Sequence, residues 1–337
     1  MPHLLAQSIL SLVPVVVFLV ALELIDTYKL VRLRRVMQTI AAGCVVALVC
    51  YFLNTLAAKA VSVDTWSRLG APVIEEILKA AVVLILIRAG RVGFMVDAAI
   101  CGFAVGTGFA LVENLLYLPV ISNAGLATAA VRGFGTAMMH GGTTAIFGMI
   151  SVNLVEFKKS EWSAYAPGLS IAIVIHALYN QAYLRPVTSA ALLLVLLPPV
   201  FSFIFWRSEK ALERWMGAKL DTDMDLLHMI ATSTFSESHA GKYLRSLESS
   251  FAPVILGDLL CYLQLSLELS ALAKGNLLRR EMGFPIAKDP GLPGRLKELG
   301  YLEKQIGRAG KLALGPLLGS SRRDVWEIHQ LEEEEQS

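Results

Sequence analysis

The chain predicts an all-α, polytopic membrane protein: a bundle of about seven transmembrane helices followed by a cytosolic helical domain. Three features carry this. Hydrophobic residues make up 55% of the chain against 17% charged. The apolar content before residue 207 is gathered into runs of membrane-crossing length, and after it the chain returns to ordinary amphipathic composition. A helix needs about 20 apolar residues to cross the hydrocarbon core. Lipid offers the backbone no hydrogen-bond partner but itself, so each run is read as a helix. The composition break separates a transmembrane domain, 1–206, from a cytosolic helical domain, 207–337, that ends in an acidic tail.

The expected spans lie near 8–25, 38–58, 70–88, 94–118, 128–152, 165–184 and 188–206. No basic residue precedes the first, which therefore reads as an uncleaved span rather than a signal peptide. Between the third and fourth, Ala89-Gly90-Arg91-Val92-Gly93 fits a tight helical hairpin. One set of loops carries Lys29, Arg32, Arg34, Arg35, Arg88, Arg91, Lys158, Lys159, Arg207 and Lys210, and the opposite set only Lys59, Arg68 and Arg185. The positive-inside rule then puts the N-terminus outside and the C-terminal region in the cytosol. Trp66, Trp162 and Trp206 fall near span ends, where interfacial aromatics belong. A net charge of +2 is too small to point to nucleic acid as a partner. Cys44, Cys50, Cys101 and Cys261 are scattered, with no paired spacing that would suggest a disulfide framework or a thiolate metal site.

In the C-terminal region, Asp221-Thr222-Asp223 resembles a helix start, and Gly283, Pro285 and Asp289-Pro290-Gly291 punctuate the remainder. The run Phe251 to Ala273 is apolar enough to imitate an eighth span. Asp258, Gln264 and Glu268 argue against that, since each acid at a bilayer centre costs roughly 2.5–3.5 kcal/mol. It is expected to be the core helix of a soluble domain, with Glu332 to Glu335 as a frayed, solvated tail.

Ionisable residues within spans are costly and each is a functional hypothesis. Glu75 and Glu76 lie in the third span, with Lys79 on the same helix face as both. An internal ion pair would account for one Glu and the Lys, and leaves the second carboxylate unexplained. Glu113 and Asn114 stand near the outer end of the fourth span, with Tyr117 a turn further on; alone, Glu113 is as well read as an interfacial acid reaching for water. Gly102, Gly106 and Gly108, upstream, form a face on which helices can approach closely. His140 sits in the middle of the fifth span, and His176 and Asn180 lie one turn apart on the sixth. At ~1.5 Å of rise per residue, Glu75, Glu76 and Glu113 lie roughly 7–9 Å below the outer surface, His176 about 12 Å, and His140 near the midplane. Acidic and imidazole groups thus gather in the outer half of the bilayer.

Such a cluster suits hydrolysis. A Glu partly removed from water is a workable general base near neutrality, while imidazoles and an amide can orient a carbonyl and stabilise an oxyanion. Alternatively His140 and His176, with Glu76 and Glu113, could hold zinc or another divalent metal and leave a position open for water. No His-Glu-x-x-His or other local zinc motif is present, so spacing does not decide between these. Buried carboxylates and histidines also build proton- or cation-coupled transporters, although the inverted repeats that would favour one are not evident. A membrane scaffold whose cytosolic helices bind a partner is the third reading.

The order Glu-Glu-x-x-Lys, Phe-x-x-x-Glu-Asn-x-x-Tyr, a His in the next span, then His-x-x-x-Asn resembles the PrsW family of intramembrane proteases. More distantly it is similar to the CAAX prenyl protease and bacteriocin-processing superfamily. The likeness covers roughly 70–182, including Asp97 and the glycines of the fourth span, and leaves the C-terminal region outside. It implies that Glu75 and Glu76 supply the catalytic carboxylate, with His140 and His176 as partners and Asn180 in support. Lys79, Asn114 and Tyr117 take auxiliary places. Glu113 departs from the wider superfamily, which has a His after Phe-x-x-x, and Lys79 stands where relatives often carry a later Arg. The resemblance further implies a bacterial inner-membrane protease that cuts membrane-anchored substrates, such as anti-sigma factors, on the extracytoplasmic side. Residues 207–337 are expected to recruit a cytosolic protein partner or regulate the protease.

Overall fold

A computed structural model describes residues 17–21, 24, 26–121, 126–157, 161–181, 186–232, 234–286, 288–318 and 322–335. Every regular element among them is helical. The chain divides into two compact units, Met1–Glu209 and Lys210–Ser337.

In the first unit, α1 (Leu33–Ala57), α2 (Ala71–Arg88), α3 (Met95–Ile121), α4 (Leu126–Phe157) and α5 (Glu161–Asn180) precede α6 (Pro186–Ala231), which runs on past the unit boundary. Helices thus stand at six of the seven expected span positions. The other, near 8–25, lies mostly outside the described residues. Among the described residues, five helices are long and apolar enough to cross a membrane: Leu33–Ala57, Met95–Tyr117, Trp162–Asn180, Thr188–Ala231 and Pro253–Glu281. Of the other two in this unit, α2 carries the charges of Glu75, Glu76, Lys79 and Arg88, and α4 carries His140 among glycines and threonines.

The most buried helix is α3, which packs against α1 on one side and α4 on the other. Small residues let it do so. A Cβ on Gly108 would overlap the carbonyl of Ile40 on α1, and one on Gly106 would overlap the backbone of His140 on α4. Close backbone approach through small residues is how helices associate where lipid removes any hydrophobic gain. Next, α4 packs on α5, and α2 touches α1, α3, α4 and α5. Between α2 and α3 the hairpin closes as a helix C-cap: Gly90 takes φ 68° and the Arg91 amide bonds the Leu86 carbonyl at 2.9 Å. Asp97 then caps α3 by accepting from the Gly93 and Phe94 amides, each at 2.8 Å. A π-turn, Trp66–Gly70, leads into α2, and Pro72 occupies its first turn, where a missing N–H costs nothing.

In the second unit, α7 (His239–Ser246), α8 (Pro253–Glu281), α9 (Leu292–Leu318) and α10 (Arg322–Glu335) complete the chain's longer helices. Leu259, Leu263, Leu267 and Leu269 of α8 pack with Leu292, Leu299, Leu302, Ile306 and Leu314 of α9 and Leu331 of α10. The apolar run expected to imitate a span therefore has partners of its own. Lys274, fully buried on α8, lies 3.0 Å from Asp223 and 2.7 Å from Glu327, while Ser270 donates to Asp223 at 2.8 Å. Two expectations need correction. Asp221-Thr222-Asp223 does not start a helix, because α6 continues through it, and Asp223 turns inward to the Lys274 ammonium. Nor is Glu332–Glu335 frayed: it is the last turn of α10, where Glu334 accepts from Asn276 at 2.6 Å and pairs with Arg280.

Candidate functional site

Four helices contribute to one buried cluster. Glu75, Glu76 and Lys79 come from α2, Glu113 from α3, His140 from α4 and His176 from α5. All three α2 side chains are buried, with His140 and His176 against them. Glu113 is 26% exposed and marks the edge of the cluster.

Hydrogen bonds assign the roles of most polar atoms. Glu76 Oε1 accepts from Lys79 Nζ at 2.6 Å, His176 Nδ1 at 2.8 Å and Thr143 Oγ1 at 3.3 Å. With Nδ1–H given to Glu76, the other ring nitrogen of His176, Nε2, faces Glu75 Oε2, 3.7 Å away. That distance exceeds a direct hydrogen bond and suits a third atom bridging the pair. Lys79 Nζ also reaches His140 Nδ1 at 2.9 Å. An ammonium can only donate, so Nδ1 accepts and His140 Nε2–H donates to Glu113 Oε2 at 2.7 Å. The two imidazoles meet edge to face with centroids 4.8 Å apart, and Phe109 covers His140 at 4.7 Å.

One ligand atom each from Glu75, His140 and His176 lies within 4.8 Å of the others, all buried. A carboxylate with two imidazoles is a donor set of catalytic zinc sites, three protein ligands and one open position. Glu76 behind His176 also supplies the carboxylate that commonly orients a ligating His. The residues therefore fit a metal. The grouping takes Glu75 with the two imidazoles where the expected set had Glu76 and Glu113, which instead bond His176 and His140 at 2.8 and 2.7 Å.

Not every expected residue joins this cluster. Asn180 Nδ2 donates to the Ser67 carbonyl of the π-turn at 2.9 Å. Asn114 Nδ2 bonds the Gly133 carbonyl at 3.1 Å and so ties α3 to α4. Tyr117 is 43% exposed. Sequence reasoning missed Asn54, which donates to Glu75 Oε1 at 2.9 Å, and gave no role to Thr143. The signal for Asn54 was its place: a polar residue in the last turn of an apolar run, about the depth of Glu75.

A bundle of apolar helices that closes around carboxylates and imidazoles fits an integral membrane protein with a buried polar site. Residues 32–206, just over half of the chain, match the family model of the PrsW family intramembrane metalloproteases, and the chain belongs to that family. It is accordingly an intramembrane peptidase, and its substrates are proteins embedded in a membrane. No curated protein and no solved structure matches it.

Proposed function

We propose that the enzyme hydrolyses membrane-anchored, anti-sigma-factor-like proteins near the extracytoplasmic face of a bacterial inner membrane. Glu75 activates the attacking water, taking its proton as oxygen adds to the scissile carbonyl carbon. The oxyanion is held by imidazole, and the proton then passes to the leaving amine as the C–N bond breaks. Glu76 and Lys79 hold the imidazoles in the required tautomers. The convergence of Glu75, His140 and His176 ligand atoms within 4.8 Å supports this reading most directly. When bound there, zinc or another divalent cation would be held by those three residues and would lower the pKa of its water to about 7. His140 Nε2, which lies 2.7 Å from Glu113 Oε2, would turn from donor to ligand on binding the cation.

The topology belongs to the same proposal: seven crossings, the N-terminus outside, and residues 207–337 in the cytosol, where they bind a protein partner. The internal packing of α8 supports its place in that domain.

The test uses the full chain in lipid with a single-pass substrate. Glu75→Gln and His176→Ala should each lower cleavage by about 10²-fold or more, the scale of a lost general base, while the protein stays folded. Cleavage persisting in both variants would remove the reading. Chelator treatment with metal analysis separates the two chemistries: activity that survives stripping is glutamate-based, and activity lost and restored by zinc is metal-based.

A further inference from the structure

Glu75 has two carboxylate oxygens, and the structure treats them differently. Oε1 accepts from Asn54 Nδ2 at 2.9 Å, while Oε2 faces His176 Nε2 at 3.7 Å. What fixes this is one step further out. Trp66 Nε1 lies 3.1 Å from Asn54 Oδ1. An indole N–H can only donate, so Asn54 must turn its oxygen to Trp66 and its NH₂ to Glu75. The amide cannot flip without breaking both bonds.

The indole is itself held in place. Trp66 opens the π-turn, whose widened ring closes from the Ala71 amide to the Trp66 carbonyl, five residues back. Its ring lies over Gly70, where an added Cβ would overlap it. Single π-turns within helices are frequent at functional sites. This one also receives the Asn180 amide on Ser67. It therefore touches both Asn54, the partner of Glu75, and Asn180.

We propose that Asn54, aimed by Trp66 of the π-turn, is the positioning residue of the catalytic carboxylate. It occupies Oε1 and leaves Oε2 as the reacting oxygen, whether that oxygen takes a proton from water or ligates a metal. The proposal rests on Glu75 being the catalytic carboxylate. It adds to that reading a second layer, supplied by α1 and the π-turn.

Three variants of the full chain test it: Asn54→Ala, Trp66→Phe and Gly70→Ala, assayed in lipid against the single-pass substrate. Each should lower kcat about 10- to 100-fold, the loss expected when a reacting group is misplaced by about 1 Å, with KM within about twofold of wild type. Because Trp66 acts through Asn54, Asn54→Ala combined with Trp66→Phe should be no slower than Asn54→Ala alone. A readout independent of turnover is the carboxylate stretch of Glu75, identified by its loss in Glu75→Gln, which should shift in the infrared difference spectrum of Asn54→Ala. A kcat within twofold of wild type, a loss confined to KM, losses that multiply in the double variant, or an unmoved band would each overturn the proposal. Should Asn54→Ala fail to fold, Trp66→Phe removes a single N–H and carries the same outcomes. If Glu75→Gln is active, the hydrolytic reading itself falls. If Glu75→Gln is inactive while Asn54→Ala and Trp66→Phe are fully active, only the positioning role falls.

Discussion

At the scale of single residues, Lys79 is the link between two halves of the cluster. Its ammonium touches Glu76 Oε1 and His140 Nδ1 at once, with no exposure to solvent. Removing one partner of a buried ion pair leaves the other uncompensated, at a cost of about 3–5 kcal/mol. Lys79→Met should therefore lower the unfolding midpoint in detergent sharply and abolish cleavage. An unchanged midpoint would show that the pair carries no such load. Lys79→Arg keeps the charge but offers a planar fork in place of a compact point donor, and should recover stability better than activity. The main ionisable members of the cluster were legible in the sequence because charge within an apolar run is costly and so stands out. Their partners were not. Nothing in spacing says that Glu76 would meet His176, that Glu113 would meet His140, or that Asn54, an unremarked amide at a span end, would hold Glu75.

Among the helices, α3 sets the geometry. Gly106 lies against the backbone of the residue that carries the His140 imidazole, so this contact fixes both the α3–α4 distance and the placement of a residue of the proposed site. Gly106→Ala must push α4 outward; an overpacking cost of about 1–3 kcal/mol is expected, and with it a drop in cleavage that a comparable change away from the site would not produce. Thermal unfolding and turnover measured on one preparation check both. The approach of α4 was legible from the sequence, since Gly102 and Gly106 stand one turn apart, but Gly108 does not share their face: it lies about 200° around the helix from Gly106 and meets Ile40 of α1. The π-turn was not, because Trp66-Ser67-Arg68-Leu69-Gly70 has no periodicity that separates it from an ordinary loop. Asp221-Thr222-Asp223 misled for a related reason: its composition suits a helix start, but Asp223 has a buried ammonium to satisfy, and the helix runs through.

For the molecule as a whole, the second unit contains its own buried charge cluster. Burial raises the Glu327 carboxyl to about 7, and the Lys274 ammonium, which also serves Asp223, offsets only part of that rise. A folded-state pKa above the ordinary 4.5 means that the native state holds this proton more tightly than the unfolded chain. The stabilisation is complete below about pH 4.5 and is lost as pH rises through about 7. Hydrogen-exchange protection of α8 and α10, corrected for intrinsic rates, should fall between about pH 5 and 8 by roughly tenfold or more, and Glu327→Gln should flatten the fall. A slope unchanged in that variant would place the proton elsewhere. In the first unit, the proposed site draws on α2, α3, α4 and α5, and no one of these helices supplies both a carboxylate and an imidazole to it. Ribosomes deliver the chain from its N-terminus, so the His176 imidazole is the last of these groups to be made. A partly inserted nascent chain would accordingly be inert, and proteolysis could begin only once α5 had docked, which spares neighbouring membrane proteins from an unfinished enzyme.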